Sequence, residues 1–204
     1  MNVDEQDDLR IVTEDGGTVA YFECLQGTWT EAQYLKLTDT CNRLLEFTDG
    51  RIEVLPMPTD RHQTILRFLF LACLPAEREL GGAVRFSPLR LRIGDGRYRE
   101  PDLLLVRDAD DPRRADAFWT GADLVMEVVS PRNPLRDTRD KRLEYARAGI
   151  PEYWIVNPID ETVTVLESEG DTYLEHGVFR RGEQADSACV PGLAVDVAAV
   201  FDAE

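Results

Sequence analysis

Two carboxylates stand in stretches of sequence that otherwise predict buried β-strands. Asp102 follows Pro101 at the start of residues 101–106, and Glu127 interrupts the apolar residues 124–129. An ionised carboxylate without a partner is costly in an apolar interior, so such groups are normally paired, protonated or bound to metal. Hard oxygen ligands on adjacent rigid strands suit Mg²⁺ or Mn²⁺. For Asp102 an exposed strand end is an equally good explanation, whereas for Glu127 the pattern favours a metal ligand.

A lysine lies early in the helix predicted to follow the Glu127 strand. Among the 23 Lys and Arg residues only Lys36 and Lys141 are lysines, so an ammonium at position 141 indicates a specific need. A compact ammonium can contact a water and a phosphate oxygen together, and its proton affinity can be tuned. An i,i+4 pair between Asp137 and Lys141 on a solvated helix face explains the residue equally well.

The elements that must position these residues form a mixed α/β pattern. Asp60 is predicted to cap a long helix that stops at Gly81. A second helix is predicted from Asp137 to Gly149. Strands are predicted over residues 83–93, 101–106, 122–129 and 152–156, with an edge strand over residues 162–167. Because hairpins and a crossover helix occur together, we predict a mixed sheet with the core order helix-strand-strand-strand-helix-strand.

Two hairpins and a short helix are predicted ahead of this core. The first hairpin covers residues 9–24 and turns at residues 15–17, and the second covers residues 44–55 and turns at Asp49-Gly50. A capping box starting at Thr30 predicts the short helix. We therefore expect an N-terminal extension over residues 1–28.

The remaining residues, 29–204, suit one globular domain of ordinary size. The acidic start lacks the blocks of a secretory signal, and no apolar run reaches membrane-spanning length. The four cysteines form no C-x-x-C pair, which predicts buried free thiols and neither disulfides nor structural zinc. We expect a cytoplasmic protein without a membrane partner.

Charge is distributed unevenly along the chain. The formal net charge of −16 argues against a nucleic-acid partner, because phosphate binding depends on cations. Residues 61–142, however, carry more basic than acidic side chains. A group of arginines before Asp102 could place a polyanion near that carboxylate, although an ordinary arginine-rich strand pair explains them equally well: Arg85, Arg90, Arg92, Arg97 and Arg99.

Several short motifs follow one another in a fixed order. They are residues 46–51, residues 56–58, His62, Pro101-Asp102, residues 126–131, Asp140-Lys141, Tyr145, Gly149 and residues 152–156. This ordered set resembles the Uma-two family of restriction-endonuclease-like proteins, over roughly residues 29–166. The resemblance implies the fold of the PD-(D/E)xK nuclease superfamily. The usual superfamily lysine position holds Val129 here, which implies that the catalytic lysine has moved to the following helix as Lys141.

The resemblance also implies a division of roles. Asp102 and Glu127 would bind Mg²⁺ (or Mn²⁺) with help from the backbone carbonyl of Val128, and Lys141 would orient or activate the attacking water.

Two further residues are weaker candidates. Glu46 could complete the metal shell, although a glutamate on a hairpin face is more often solvated. His62, in the first turn of a helix, could lie near a phosphate or a water, although a surface histidine explains it as well.

Two function hypotheses follow. The first is a Mg²⁺-dependent endonuclease that hydrolyses phosphodiester bonds of DNA, acting as a homodimer because cutting both strands of a palindromic site needs two sites in two-fold register. The second is a catalytically silent nuclease-fold module that binds nucleic acid or protein, for which the acidic flanks suit a protein partner. Metal-dependent DNA cleavage distinguishes them.

Overall fold

The computed structural model describes residues 10–12, 15, 18–131 and 133–204. Its strands are β1 Arg10–Val12, β2 Thr18–Tyr21, β3 Leu45–Thr48, β4 Arg51–Val54, β5 Ala83–Phe86, β6 Leu91–Gly94, β7 Arg97–Arg99, β8 Leu103–Val106, β9 Leu124–Val128, β10 Glu152–Asn157, β11 Thr162–Glu169, β12 Thr172–Phe179, β13 Gln184–Asp186 and β14 Ala194–Asp196. Its helices are α1 Glu31–Thr38, α2 Asp60–Leu80, α3 Lys141–Arg147 and α4 Val197–Asp202, with a π-helical turn at Arg136–Asp140 directly before α3.

These residues fall into two compact units. Unit 1 lies within residues 1–56 and 96–98, and unit 2 consists of residues 57–95 and 99–204. The boundary expected after residue 28 stays a prediction. Among the described residues, no helix is both long enough and apolar enough to cross a membrane.

Unit 1 contains the short helix and the second hairpin. The side chain of Thr30 accepts the Gln33 N–H at 3.2 Å and the Gln33 side chain accepts the Thr30 N–H at 2.9 Å, which confirms the capping box. β3 and β4 pair as predicted, through a turn in which Asp49 and Gly50 have φ of 48° and 83°. Glu46 on β3 is buried, so the expectation of a solvated side chain is wrong.

The first predicted hairpin also belongs to unit 1. β1 and β2 pair antiparallel, as expected. The second strand is shorter than predicted, because residues Phe22–Leu25 form a 3₁₀ turn. Residues 13, 14, 16 and 17, where most of the predicted turn falls, lie outside the described residues.

Unit 2 is built on a six-stranded sheet in the order β12-β11-β10-β9-β8-β5. β9 and β10 are parallel and the other neighbouring pairs are antiparallel, which confirms the mixed sheet. The parallel pair requires the crossover through α3, whereas antiparallel neighbours can be joined by short turns. β11 is not an edge strand, since β12 pairs beyond it.

Side chains alternate between the two faces of this sheet. Leu103 and Leu105 pack in a core with apolar residues of α2 and α4, whereas Leu104 and Val106 pack in a second core with Tyr145 of α3. Helices therefore cover both faces of the sheet.

Two local predictions in unit 2 differ from the structure. The strand predicted over residues 83–93 is divided into β5 and β6 at Ser87-Pro88, because proline has no N–H to donate to a strand ladder. The cap of α2 is Thr59 instead of Asp60: its side chain accepts the N–H of His62 at 3.2 Å.

The four cysteines are predicted to be buried free thiols. All four are free, but only Cys73 is buried.

The structure also differs from the prediction at the helix that was expected to begin at Asp137. Asp137 lies inside the π-helical turn, where it is buried and caps nothing. The helical segment ends near Gly149, whose φ of 72° places it in the left-handed region, as the predicted stop requires.

Candidate active site

The register of β8 and β9 brings Asp102 and Glu127 to the same end of the sheet. Leu103 pairs with Met126, so Asp102, one residue before β8, lies beside the end of β9. The backbone N–H of Val128 donates to Oδ2 of Asp102 at 2.8 Å. The two predicted carboxylates therefore belong to one site in unit 2.

Glu127 is buried on the face of the sheet that α3 covers. Its Oε1 accepts the hydroxyl of Tyr145 at 2.6 Å and lies 2.8 Å from Nζ of Lys141. Burial raises the pKa of Glu127, the Lys141 ammonium acts in the opposite direction, and the charges of Asp102 and Asp137 raise the pKa further.

Lys141 lies between two buried carboxylates. Its Nζ is 2.8 Å from Glu127 Oε1 and 3.1 Å from Asp137 Oδ1, and the three side chains are only 3–8% exposed. The i,i+4 pair with Asp137 is therefore present, but the expectation that it lies on a solvated helix face is wrong.

His62 contacts the other carboxylate of the site. Its Nε2 lies 3.1 Å from Oδ2 of Asp102, and both side chains are 16% exposed. Burial by itself lowers the pKa of His62, but the hydrogen bond with Asp102 and the charges of Asp102, Glu127 and Asp137 outweigh it, so the pKa is raised above 6.5. The expectation of an ordinary surface histidine is wrong.

Tyrosines join these side chains to the core. The hydroxyl of Tyr153 on β10 donates to the backbone carbonyl of Asp137 at 2.9 Å, and its ring packs edge-on against Tyr145 at 5.1 Å. Tyr153 and Trp154 are fully buried, so they are packing residues. Asp137 and Tyr145 received no site role from sequence, although both lie four residues from Lys141 and so share one helix face with it.

The arginines near Asp102 mostly have partners within the fold. Arg99 is buried and forms a bidentate pair with Glu144 of α3, at 2.8 and 2.6 Å. Arg92 pairs with Asp95, Arg97 pairs with Asp49 inside unit 1, and Arg90 donates to the carbonyl of Ala117. Arg85 remains about half exposed. These contacts favour a structural role for the group over a polyanion-binding role.

The donor chemistry of the site fits a hard divalent cation. Asp102 uses Oδ2 for Val128 and His62, and Glu127 uses Oε1 for Lys141 and Tyr145. These contacts involve one oxygen of each carboxylate, so the second oxygens, Asp102 Oδ1 and Glu127 Oε2, are the candidate metal ligands.

The charges point the same way. The carboxylate charges of Asp102 and Asp137 both act on Glu127 and raise its pKa, and such a concentration of negative charge favours a cation. Three-residue groups of His, Cys, Asp or Glu able to hold a metal are absent from the described residues, so water or backbone oxygens would have to complete the shell. Glu46 lies in unit 1, and its role as a ligand, like that of the Val128 carbonyl, stays a prediction.

The fold of this chain is shared with a solved structure. A crystal structure described as "a putative nuclease belonging to DUF820" from Anabaena variabilis superposes with a TM-score of 0.65 at 18% sequence identity, covering 82% of this chain and 96% of that one. At this identity the similarity shows a shared fold. Comparison with curated proteins gave no match.

The family assignment comes from sequence. The family model described as "Uma2: Putative restriction endonuclease" matches residues 31–198. The chain belongs to the Uma2 family, which confirms the resemblance noted in the motifs and extends it beyond residue 166.

Proposed function

We propose that this protein is a Mg²⁺-dependent endonuclease that hydrolyses phosphodiester bonds of DNA. The observation that carries the proposal is the buried contact of 2.8 Å between Lys141 Nζ and Glu127 Oε1, at the sheet end where Asp102 also lies. A lysine beside two strand-end carboxylates is a combination suited to metal-assisted hydrolysis. Membership of a family described as restriction endonucleases supports the same function.

The order of elements along unit 2 supports a restriction-endonuclease-like core. The helix α2 is followed by the sheet strands β5, β8 and β9, then by α3 and the sheet strand β10. With β6 and β7, which lie outside the six-stranded sheet, set aside, this succession supports the predicted order helix-strand-strand-strand-helix-strand.

Each residue of the site would have a distinct task. Asp102 and Glu127 hold the metal, with His62 fixing one oxygen of Asp102 and Tyr145 fixing one oxygen of Glu127. A bound Mg²⁺ supplies Lewis acidity at the phosphoryl oxygen and lowers the pKa of a coordinated water. Lys141 orients the attacking water, and its charge stabilises negative charge on the phosphoryl oxygens.

Cleavage of supercoiled plasmid with Mg²⁺ or Mn²⁺ tests the proposal. We expect wild-type protein to nick or linearise the plasmid and EDTA to prevent it. Asp102→Asn, Glu127→Gln and Lys141→Met should each lower the rate by about 10²-fold or more, the scale of a lost acid-base or metal-binding group. Sedimentation of the protein with a duplex substrate tests the homodimer.

Two control variants match these changes in residue type. Lys36→Met removes the only other lysine, which is exposed in α1. Glu152→Gln alters a fully buried glutamate of β10 that accepts hydrogen bonds from Trp154 and the Cys189 backbone. Both should retain cleavage.

Calorimetric titration with Mn²⁺ separates the two function hypotheses. Glu127→Ala should abolish metal binding. If wild type leaves the plasmid intact and Glu127→Ala binds Mn²⁺ as wild type does, the enzyme proposal is wrong and the silent-module hypothesis remains.

A further inference from the structure

A third carboxylate is buried at the site and has no task in the chemistry described above. Asp137 is 5% exposed, and its Oδ1 lies 3.1 Å from Lys141 Nζ. Burial of another carboxylate beside Asp102 and Glu127 is electrostatically unfavourable, because the like charges repel in a poorly solvated place. A position that carries such a cost indicates a specific role.

The backbone around Asp137 is shaped for this contact. Residues Arg136–Asp140 form a π-helical turn, in which the N–H of Lys141 donates to the carbonyl of Arg136. Single π-helical turns within helices are rare and occur frequently at functional sites. The Tyr153 hydroxyl ties the carbonyl of Asp137 to β10 at 2.9 Å, so the carboxylate is presented from a fixed backbone.

The placement of Lys141 explains why a second anchor is useful. A lysine side chain is long and flexible, and it loses much rotamer entropy when it is held in one geometry. Glu127 contacts the ammonium from the sheet, and Asp137 contacts it from the helical segment. Two anchors on different elements restrict the ammonium more than Glu127 alone would.

We propose that Asp137 is a positioning residue that acts through Lys141, by holding the ammonium against Glu127. This inference rests on the proposed function for its catalytic consequence. Lys141 is carried by a helix, so its long side chain must reach back to the carboxylates at the strand ends. Asp137 offsets the freedom of that side chain by holding the ammonium from the helical segment.

Lysine-selective NMR tests the positioning directly. Because the chain has only Lys36 and Lys141, protein labelled with ¹³C-lysine gives two sets of side-chain signals. In wild type the two Hε protons of Lys141 should be resolved, as for a fixed side chain. Asp137→Asn, which keeps the shape and removes the charge, should merge them, while the Lys36 signals stay unchanged.

Two further variants sharpen the test. Asp140→Asn is the matched control, because Asp140 lies in the same π-helical turn, pairs with Arg139 and is half exposed. It should leave the Lys141 signals as in wild type. Tyr153→Phe releases the carbonyl of Asp137 without changing any charge and should partly merge the two Hε signals of Lys141. If Asp137→Asn fails to fold, Tyr153→Phe tests the positioning role in its place.

Kinetics then measure the consequence for catalysis. Asp137→Asn should lower kcat by about 10-fold to 100-fold, the usual scale for residues that orient a catalytic group, with KM for DNA unchanged. Unchanged Lys141 signals in Asp137→Asn, or in Tyr153→Phe if the former does not fold, overturn the positioning role whether or not wild type cleaves DNA. An inactive wild type whose signals merge on Asp137→Asn overturns the proposed function and supports the positioning role.

Discussion

The ammonium of Lys141 lies 2.8 Å from Oε1 of Glu127, and both side chains are buried. Removal of the ammonium alone leaves Glu127 and Asp137 without their cation, and breaking a buried pair in this way costs about 3–5 kcal/mol. We therefore expect Lys141→Met to lower the free energy of unfolding in urea by that amount.

Neutralising Glu127 and Asp137 in the Lys141→Met background should restore most of the lost stability, because neither of these two buried partners is then left as an unpaired charge. The triple variant also carries Glu127→Gln and Asp137→Asn. If the single and triple variants lose equal stability, the ion pairs do not account for the effect.

The hydroxyl of Tyr145 donates to the same oxygen of Glu127, at 2.6 Å. Tyr145→Phe removes this donor from a buried carboxylate, which should cost about 1–3 kcal/mol of unfolding free energy. It should also weaken Mn²⁺ binding by about 10-fold in calorimetry, as loss of a group that orients a metal ligand does. Tyr21→Phe, at a half-exposed tyrosine, is the control and should change neither quantity.

The contact of His62 with Asp102 predicts a pH dependence of stability. Burial opposes protonation of His62, but the hydrogen bond with Asp102 and the nearby carboxylate charges prevail and raise its pKa above 6.5. The folded protein therefore binds this proton more tightly than the unfolded chain. The resulting stabilisation is complete below the unfolded-state pKa and is lost as the pH rises through the folded-state pKa.

Urea unfolding in metal-free buffer tests this dependence. The stability difference between wild type and His62→Gln should be larger at about pH 5.5 than at about pH 8.5. The same comparison in an Asp102→Asn background should give a smaller dependence, because the partner carboxylate has been neutralised. If the stability difference between wild type and His62→Gln grows as the pH rises, the raised pKa assigned to His62 is wrong.

The pair of Arg99 with Glu144 anchors α3, the helix that begins with Lys141. Both hydrogen bonds are short and Arg99 is only 3% exposed, so Arg99→Met should destabilise the protein by about 3 kcal/mol or more. Arg97, in the same strand, pairs with Asp49 but is 44% exposed, and Arg97→Met should cost less than about 1 kcal/mol. If Arg99→Met and Arg97→Met lower the free energy of unfolding by similar amounts in thermal or urea unfolding, burial of Arg99 contributes nothing.

Local sequence signals predicted most of the secondary structure. The Asp49-Gly50 turn and the Thr30 capping box were predicted correctly because each depends on the backbone preferences of a few adjacent residues. The predictions that were wrong also have local causes: Ser87-Pro88 divides a strand, and Thr59 caps α2 one residue earlier than expected. No strand is predicted from sequence at β12, and for this reason the prediction that β11 is an edge strand is wrong.

The sequence by itself determined which residues have the chemistry: a carboxylate in an apolar strand at Glu127, a second one at Asp102, and a rare lysine at position 141. Only the tertiary structure decided how they meet. The register of β8 with β9 brings Asp102 to Val128, and the packing of α3 on the sheet brings Lys141 and Tyr145 to Glu127. Register and helix packing depend on contacts between segments distant in sequence, which local patterns do not encode. The same long-range packing buries Asp137, so its contact with Lys141 is a buried ion pair instead of a solvated one.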